Sequence, residues 1–302
     1  MRIKATLLAT LAASALALSA CGGGANPGGD SGDTAQAGDS ASPAVSYPVA
    51  SNVALTGSPT YDKIKSAGKV VIGVKEDQPT LGFKDAITGE RSGFDVEIAR
   101  WTAASLGMSA DKIEFKAIPS AQRESALANG DVNLYVGTYS ITDKRKKQVD
   151  FAGPYFVTGQ SLLVKKDSDI TGIDGMNGKK VCSATGSTPI QNIKEKYPQV
   201  ATTEFDTYSQ CVDALKNGQA DAVTTDEAIL LGYAAQDPDN LKTVGEPFST
   251  EKYGVGLPKG DTALRTFINK MFTDGGSTWT KIYDATLGKS GKKVEQPAVE
   301  SY

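Results

Sequence analysis

The chain of 302 residues carries 32 Lys plus Arg against 35 Asp plus Glu, a formal charge of −3, and no histidine. The missing imidazole removes Ser-His-Asp and Cys-His nucleophilic catalysis and His-ligated zinc, so an enzyme here would run on carboxylates, lysine or tyrosine. With no basic excess, nucleic acid and anionic lipid are poor partners, and small molecules or proteins are expected instead.

Arg2 and Lys4 precede an apolar stretch over residues 5–18, too short to span a bilayer, which ends at Leu18-Ser19-Ala20-Cys21. This is the pattern of an export signal cut before a lipid-attachment cysteine: residues 1–20 are expected to be removed and Cys21 to become the acylated first residue. Residues 22–44 contain nothing apolar larger than alanine, and a flexible tether is expected over residues 21–58. In an oxidising compartment the even pair Cys182 and Cys211 is expected to form a disulfide. Two buried thiols are the alternative, since sequence does not show whether their Cα atoms come within reach.

From residue 59 onward the composition is that of a folded body, and the body repeats itself. Residues 126–138 align without a gap on residues 214–226, each a helix end, an Asn-Gly stop (Asn129-Gly130, Asn217-Gly218) and a short apolar strand. Upstream, residues 68–75 match residues 178–185 as a glycine turn feeding a strand. Between these landmarks Phe94, Ile98, Trp101 and Ser105 recur at helical spacing behind Asp95 and Glu97, and residues 113–118 alternate as a strand. The second unit has a helix over residues 188–197 and a strand over residues 202–205. The first unit is longer, and the turn-rich stretch over residues 79–93 reads as a hairpin excursion.

Alternating strands and helices imply two α/β lobes with mostly parallel, helix-covered sheets. Such sheets bind ligands beyond the carboxyl ends of their strands, where the alignment places Lys75, Thr138, Thr185 and Asp226. Just beyond stand Ser140, Thr142 and Arg145 in the first lobe and Gly186, Ser187 and Thr188 in the second. The latter three open a helix whose free N–H groups favour a carboxylate or phosphate. On residues alone, Asp226 also reads as a helix cap, and Arg145 as one of the solvated charges between Lys144 and Lys147.

Several segments in one order carry a resemblance. They are Gly93-Phe94-Asp95-Val96-Glu97-Ile98-Ala99, Ser140-Ile141-Thr142-Asp143-Lys144-Arg145, Val149-Asp150-Phe151, Pro154-Tyr155, Gly186-Ser187-Thr188 and Thr225-Asp226-Glu227. Over residues 61–287 the chain resembles the polar amino-acid solute-binding proteins of ABC importers (extracellular solute-binding family 3), and most of all their glutamate-binding lipoproteins. The resemblance implies the two-lobed, type II periplasmic-binding-protein-like fold, with two hinge strands. Lobe 1 is expected over residues 59–160 and 251–288, lobe 2 over residues 161–250, and a polar tail over residues 289–302. The crossings fall near residues 159–162 and 250–254.

The same resemblance assigns the ligand's α-carboxylate to Arg145 held bidentately, with Ser140 and the N–H groups of Ser187 and Thr188. Asp226 takes the α-ammonium with Thr138. Lys75 and Arg123, with Ser120 nearby, resemble positions that hold a distal carboxylate, whereas on residues alone either reads equally as a surface cation. Three cations against the single carboxylate of Asp226 favour glutamate, with aspartate or glutamine also possible. Many relatives stack an aromatic ring on the ligand where this chain has Gln78; the neighbouring Glu76 and Asp77 would repel an acidic ligand if turned inward. The expected protein is a monomer without cofactor or metal. It touches the membrane only through its lipid and delivers an amino acid to an ABC permease with its ATPase. An exported dehydratase-type enzyme on the same fold, with Glu76 and Tyr208 as its acid–base pair, and a sensor for a signalling partner are the alternatives.

Overall fold

The computed structural model describes residues 45–291 and 293–302; the expected export signal, the expected lipid-attachment Cys21 and the expected tether up to residue 44 lie outside them. The first half starts with α1 (Pro59–Ala67) and β1 (Val70–Val74), followed by the short strands β2 (Asp77–Gln78), β3 (Gly82–Lys84) and β4 (Arg91–Ser92). It continues through α2 (Phe94–Ser105), β5 (Ile113–Ala117), α3 (Arg123–Ala128), β6 (Leu134–Tyr135), α4 (Asp143–Lys146) and β7 (Val149–Thr158). The second half comprises β8 (Gln160–Lys165), β9 (Lys180–Ala184), α5 (Thr188–Lys196), β10 (Ala201–Phe205), α6 (Tyr208–Lys216), β11 (Ala222–Asp226), α7 (Glu227–Gln236) and β12 (Leu241–Val244). The chain then returns through β13 (Glu251–Pro258) to α8 (Thr262–Asp274) and α9 (Gly276–Ala285). Among the described residues no helix is long and apolar enough to cross a membrane.

The two large sheets have the orders β5-β1-β6-β13-β7 and β10-β9-β11-β8-β12, and β2-β3-β4 form the small excursion sheet. Each large sheet has one strand antiparallel to its neighbours, β13 in the first and β8 in the second. These are the strands that arrive from the other half. They start at the cleft edge, where their parallel neighbours end, and so run the opposite way.

The internal repeat is physical. Gly130 and Gly218 both adopt positive φ (76° and 73°), a conformation that costs glycine nothing. Behind them Asp131 and Val132 N–H donate to Ala126 O as Gln219 and Ala220 N–H donate to Ala214 O. The Asn133 carboxamide then accepts from Val71 N–H (2.8 Å) where Asp221 accepts from Lys180 N–H (2.7 Å). In the second half Cys182 of β9 and Cys211 of α6 are disulfide-bonded, with Cα atoms 5.4 Å apart.

Two expectations are corrected at the ends of the body. Residues 45–58, read as tether, pack on the first half: Val45, Tyr47, Val53 and Leu55 lie against its core, and the Tyr47 hydroxyl donates to Glu97 at 2.6 Å. Their apolar side chains lie beyond residue 44, where the tether composition stops. The polar tail likewise folds back, with Val294 and Val299 against the core. Phe151 N–H donates to the Tyr302 hydroxyl (2.7 Å) and Glu300 N–H to Gly153 O (2.9 Å). Strand β7 is an edge strand, and the tail satisfies backbone groups that the sheet leaves unpaired.

Candidate functional site

The first half brings Lys75, Ser120, Arg123, Thr138, Ser140 and Arg145 together, all buried. Lys75 follows β1, and its Nζ donates to Ser120 Oγ at 2.8 Å. Burial, assisted by the nearby Arg123 charge, pulls the Lys75 ammonium down to about 7, with Asp77 acting in the opposite sense. Arg123 opens α3 and lies over the Tyr139 ring, 4.4 Å from its centroid. Its guanidinium donates to the carbonyls of Ser120 (3.0 Å), Thr138 (3.3 Å) and, across the cleft, Gly186 (3.4 Å).

Thr138 is a β-branched residue at φ 47°, a strained conformation. Asp95, fully buried at the start of α2, holds it there by accepting from Thr138 N–H at 2.8 Å and from the Tyr155 hydroxyl at 2.8 Å. Burial raises the Asp95 carboxyl to about 6. The Thr138 hydroxyl donates to Gln78 Oε1 at 3.1 Å, while Gln78 Nε2, buried, has no hydrogen-bond partner among the described residues.

Arg145 is not a solvated member of its charge run. Its Nε donates to Glu124 Oε1 (3.1 Å) and its Nη1 to Ser140 O (2.8 Å) and Thr188 Oγ1 (2.7 Å); Nη2 donates to Gly186 O (3.2 Å). It therefore bridges the halves, with four of its five donors committed inside the protein. One N–H of Arg145 is left for the bidentate grip that the resemblance implies. Glu124 also enters the charge count: it pairs with Arg145, while the buried Glu251 stands beside Asp226 and the buried Asp95 behind Thr138.

In the second half Ser187 caps α5 by accepting from Ile190 N–H at 3.3 Å, and its own N–H donates to Ala184 O. That amide is thus turned into the turn itself. Asp226 ends β11 beside Thr225, both buried. It occupies the cap position of α7 without its side chain capping the helix. Instead Oδ2 accepts from the Tyr253 hydroxyl of β13 at 2.6 Å, and Oδ1, like Thr225 Oγ1, has no hydrogen-bond partner among the described residues. Burial and the nearby Glu251 raise the Asp226 carboxyl to about 8, against the lowering pull of Tyr253, Arg123 and Arg145.

The two acidic residues after Lys75 are both engaged elsewhere. Glu76 pairs with Arg91, and Asp77 docks on α6. Tyr208 is buried, and its hydroxyl is pushed up to about 12 by burial and the Asp226 charge. No acid–base pair of Glu76 and Tyr208 is assembled. Glu124, Tyr253 and Asp95 were not found by sequence reasoning. Each contacts its partner from far along the chain, 21, 27 and 43 residues away, and no local pattern marks such contacts.

A family model described as bacterial extracellular solute-binding proteins, family 3, matches residues 70–289. The chain is 44% identical over 221 residues to the ABC transporter glutamine-binding protein GlnH of Bacillus subtilis (strain 168), covering 72% of this chain and 81% of the relative. It is 40% identical over 244 residues to the glutamate-binding protein GluB of Corynebacterium efficiens, covering 76% and 82%. Among solved structures it is similar to an ancestral arginine-binding protein bound to glutamine, at 39% identity and a TM-score of 0.68, covering 73% of this chain and 98% of that one.

Proposed function

The chain belongs to the bacterial extracellular solute-binding proteins, family 3, a non-enzymatic family, and from that premise we propose that it captures an acidic amino acid, glutamate foremost, for an ABC importer. The observation that carries the acidic reading is the buried charge set. Of the three buried cations only Arg145 has an ion-pair partner among the described residues, Glu124, so Lys75 and Arg123 are left for a distal carboxylate, which glutamate supplies. Glutamine would leave a buried cation uncompensated, a loss on the order of 2 to 5 kcal/mol when one partner of a buried pair is missing.

In this reading Asp226 Oδ1 and Thr225 Oγ1, buried and without hydrogen-bond partners among the described residues, accept from the α-ammonium, and Thr138 lies on the same path. The α-carboxylate meets the remaining Arg145 N–H, the Thr188 hydroxyl, Ser140 and the opening turn of α5 at Ser187. Lys75, with Ser120 and Arg123, receives the distal carboxylate, and the unpaired Gln78 Nε2 is a further donor for it. Outside the described residues, Cys21 carries the lipid, and the Gly- and Ser-rich stretch tethers a monomeric body to the extracytoplasmic face of the membrane.

Glutamine is the second reading, favoured by the burial of Lys75, because a neutral amine at that position balances a neutral ligand. Thermal unfolding against a panel of amino acids separates the two. Glutamate at about a hundred times its dissociation constant is expected to stabilise by roughly 2.7 kcal/mol, and Lys75→Met to transfer the preference to glutamine. Stabilisation of the unmodified protein by glutamine and not glutamate would sink the acidic reading and leave amino-acid binding standing.

A further inference from the structure

The excursion β2-β3-β4 carries the segment after β1 over the second half, and Asp77 leads it there. Its Oδ2 accepts from the backbone N–H groups of Tyr208 (2.8 Å) and Ser209 (3.2 Å) and from the Tyr233 hydroxyl (3.3 Å); the same hydroxyl also donates to Asp77 O. Tyr208 and Ser209 begin α6, so a carboxylate of one half sits at the positive end of a helix in the other. That helix is firmly seated. Thr207 and Gln210 form a reciprocal capping box at its start, and Cys211 ties it to β9. Alongside, Gly232 of α7 lies against the Pro79 carbonyl so closely that a Cβ would collide with it.

Asp77, Tyr233 and Gly232 are not among the residues assigned to the ligand, yet their contacts exist only while the halves are together. A contact confined to one arrangement shifts the equilibrium toward it by its own free energy. We infer that Asp77, docked between α6 and α7, is a positioning residue that sets ligand affinity by latching the closed arrangement, without touching the ligand. The inference rests on the amino-acid-binding reading for its affinity readout and on nothing else in that reading.

Three variants test it in the full protein, with glutamate and glutamine as probes in calorimetry and stopped flow. Asp77→Ala removes the cap but also alters the field at Lys75, which Asp77 faces. Tyr233→Phe and Gly232→Ala leave that field alone. Tyr233→Phe and Gly232→Ala are each expected to weaken whichever amino acids bind by a factor common to all of them, and Asp77→Ala to weaken binding roughly five- to thirty-fold, chiefly through faster release. Gly232→Ala should do so while leaving the ligand-free unfolding midpoint unchanged or higher, because alanine is the better helix former. Wild-type affinity in both Tyr233→Phe and Gly232→Ala overturns the latch. If no amino acid stabilises even the unmodified protein, the functional reading fails separately. The latch is then read from amide exchange at Tyr208 and Ser209, faster in Asp77→Ala if it holds and equal to wild type if it does not.

Discussion

Lys75 and Asp226 carry opposite charges, and burial moves both toward neutrality, to about 7 and about 8. Binding an α-ammonium requires an ionised Asp226, so below about pH 8 an incoming amino acid must displace the proton there, and affinity rises with pH to that point. A distal carboxylate requires a charged Lys75, so above about pH 7 glutamate must bring a proton with it while glutamine need not. The glutamate-to-glutamine affinity ratio is therefore expected to fall about tenfold per pH unit above 7, as calorimetry between pH 6 and 8.5 can read. A ratio constant across that range would remove Lys75 from the distal site. For folding, the sign differs. Asp95 and Asp226 both hold protons that the unfolded chain releases near pH 4, so the ligand-free unfolding midpoint should drop as pH rises from about 4 to 6. The strand-end argument reached Lys75, Thr138 and Asp226 because register alone puts them at the cleft. Glu124 and Tyr253, which pair with Arg145 and hold Asp226, reach their partners through folded geometry.

At the level of elements, the repeated Asn-Gly stops and the apolar alternations were legible because each is enforced locally, by positive φ at a glycine or by side-chain period. The expected helix over residues 188–197 is α5, and the turn-rich excursion is the small sheet β2-β3-β4. The terminal segments were not legible, since their order comes from the surface they cover. Truncation after residue 292 would remove Val294 and Val299 from the core surface they cover and strip Phe151 N–H and Gly153 O of partners. A loss of about 1 to 3 kcal/mol is expected in urea unfolding, from apolar burial and net hydrogen bonding together. An unchanged transition would show that the tail lies on β7 without holding it.

For the molecule as a whole, two crossings join the halves, at Gly159 and again between Ser249 and Glu251, and they are bonded to each other: Gln160 N–H donates to Ser249 Oγ at 3.1 Å. Such a paired hinge permits rotation of one sheet against the other while restricting other motions. Arg145 and Asp226 stand on opposite sides of it, so a ligand held by both, as proposed, would favour closure. Asp226→Ala is expected to abolish ligand-induced compaction in solution scattering, and compaction equal to wild type would take Asp226 out of the site. The sequence by itself determined the alternation of strands and helices, the doubled plan, the candidate cleft positions and the family likeness, because these rest on period, turn chemistry and local order. Only the tertiary structure decided that Glu124 offsets Arg145, that Tyr253 holds Asp226, and that Asp77 serves the opposite half instead of repelling the ligand. Those are contacts between residues distant in the chain, and their energies depend on burial and geometry that no linear spacing encodes.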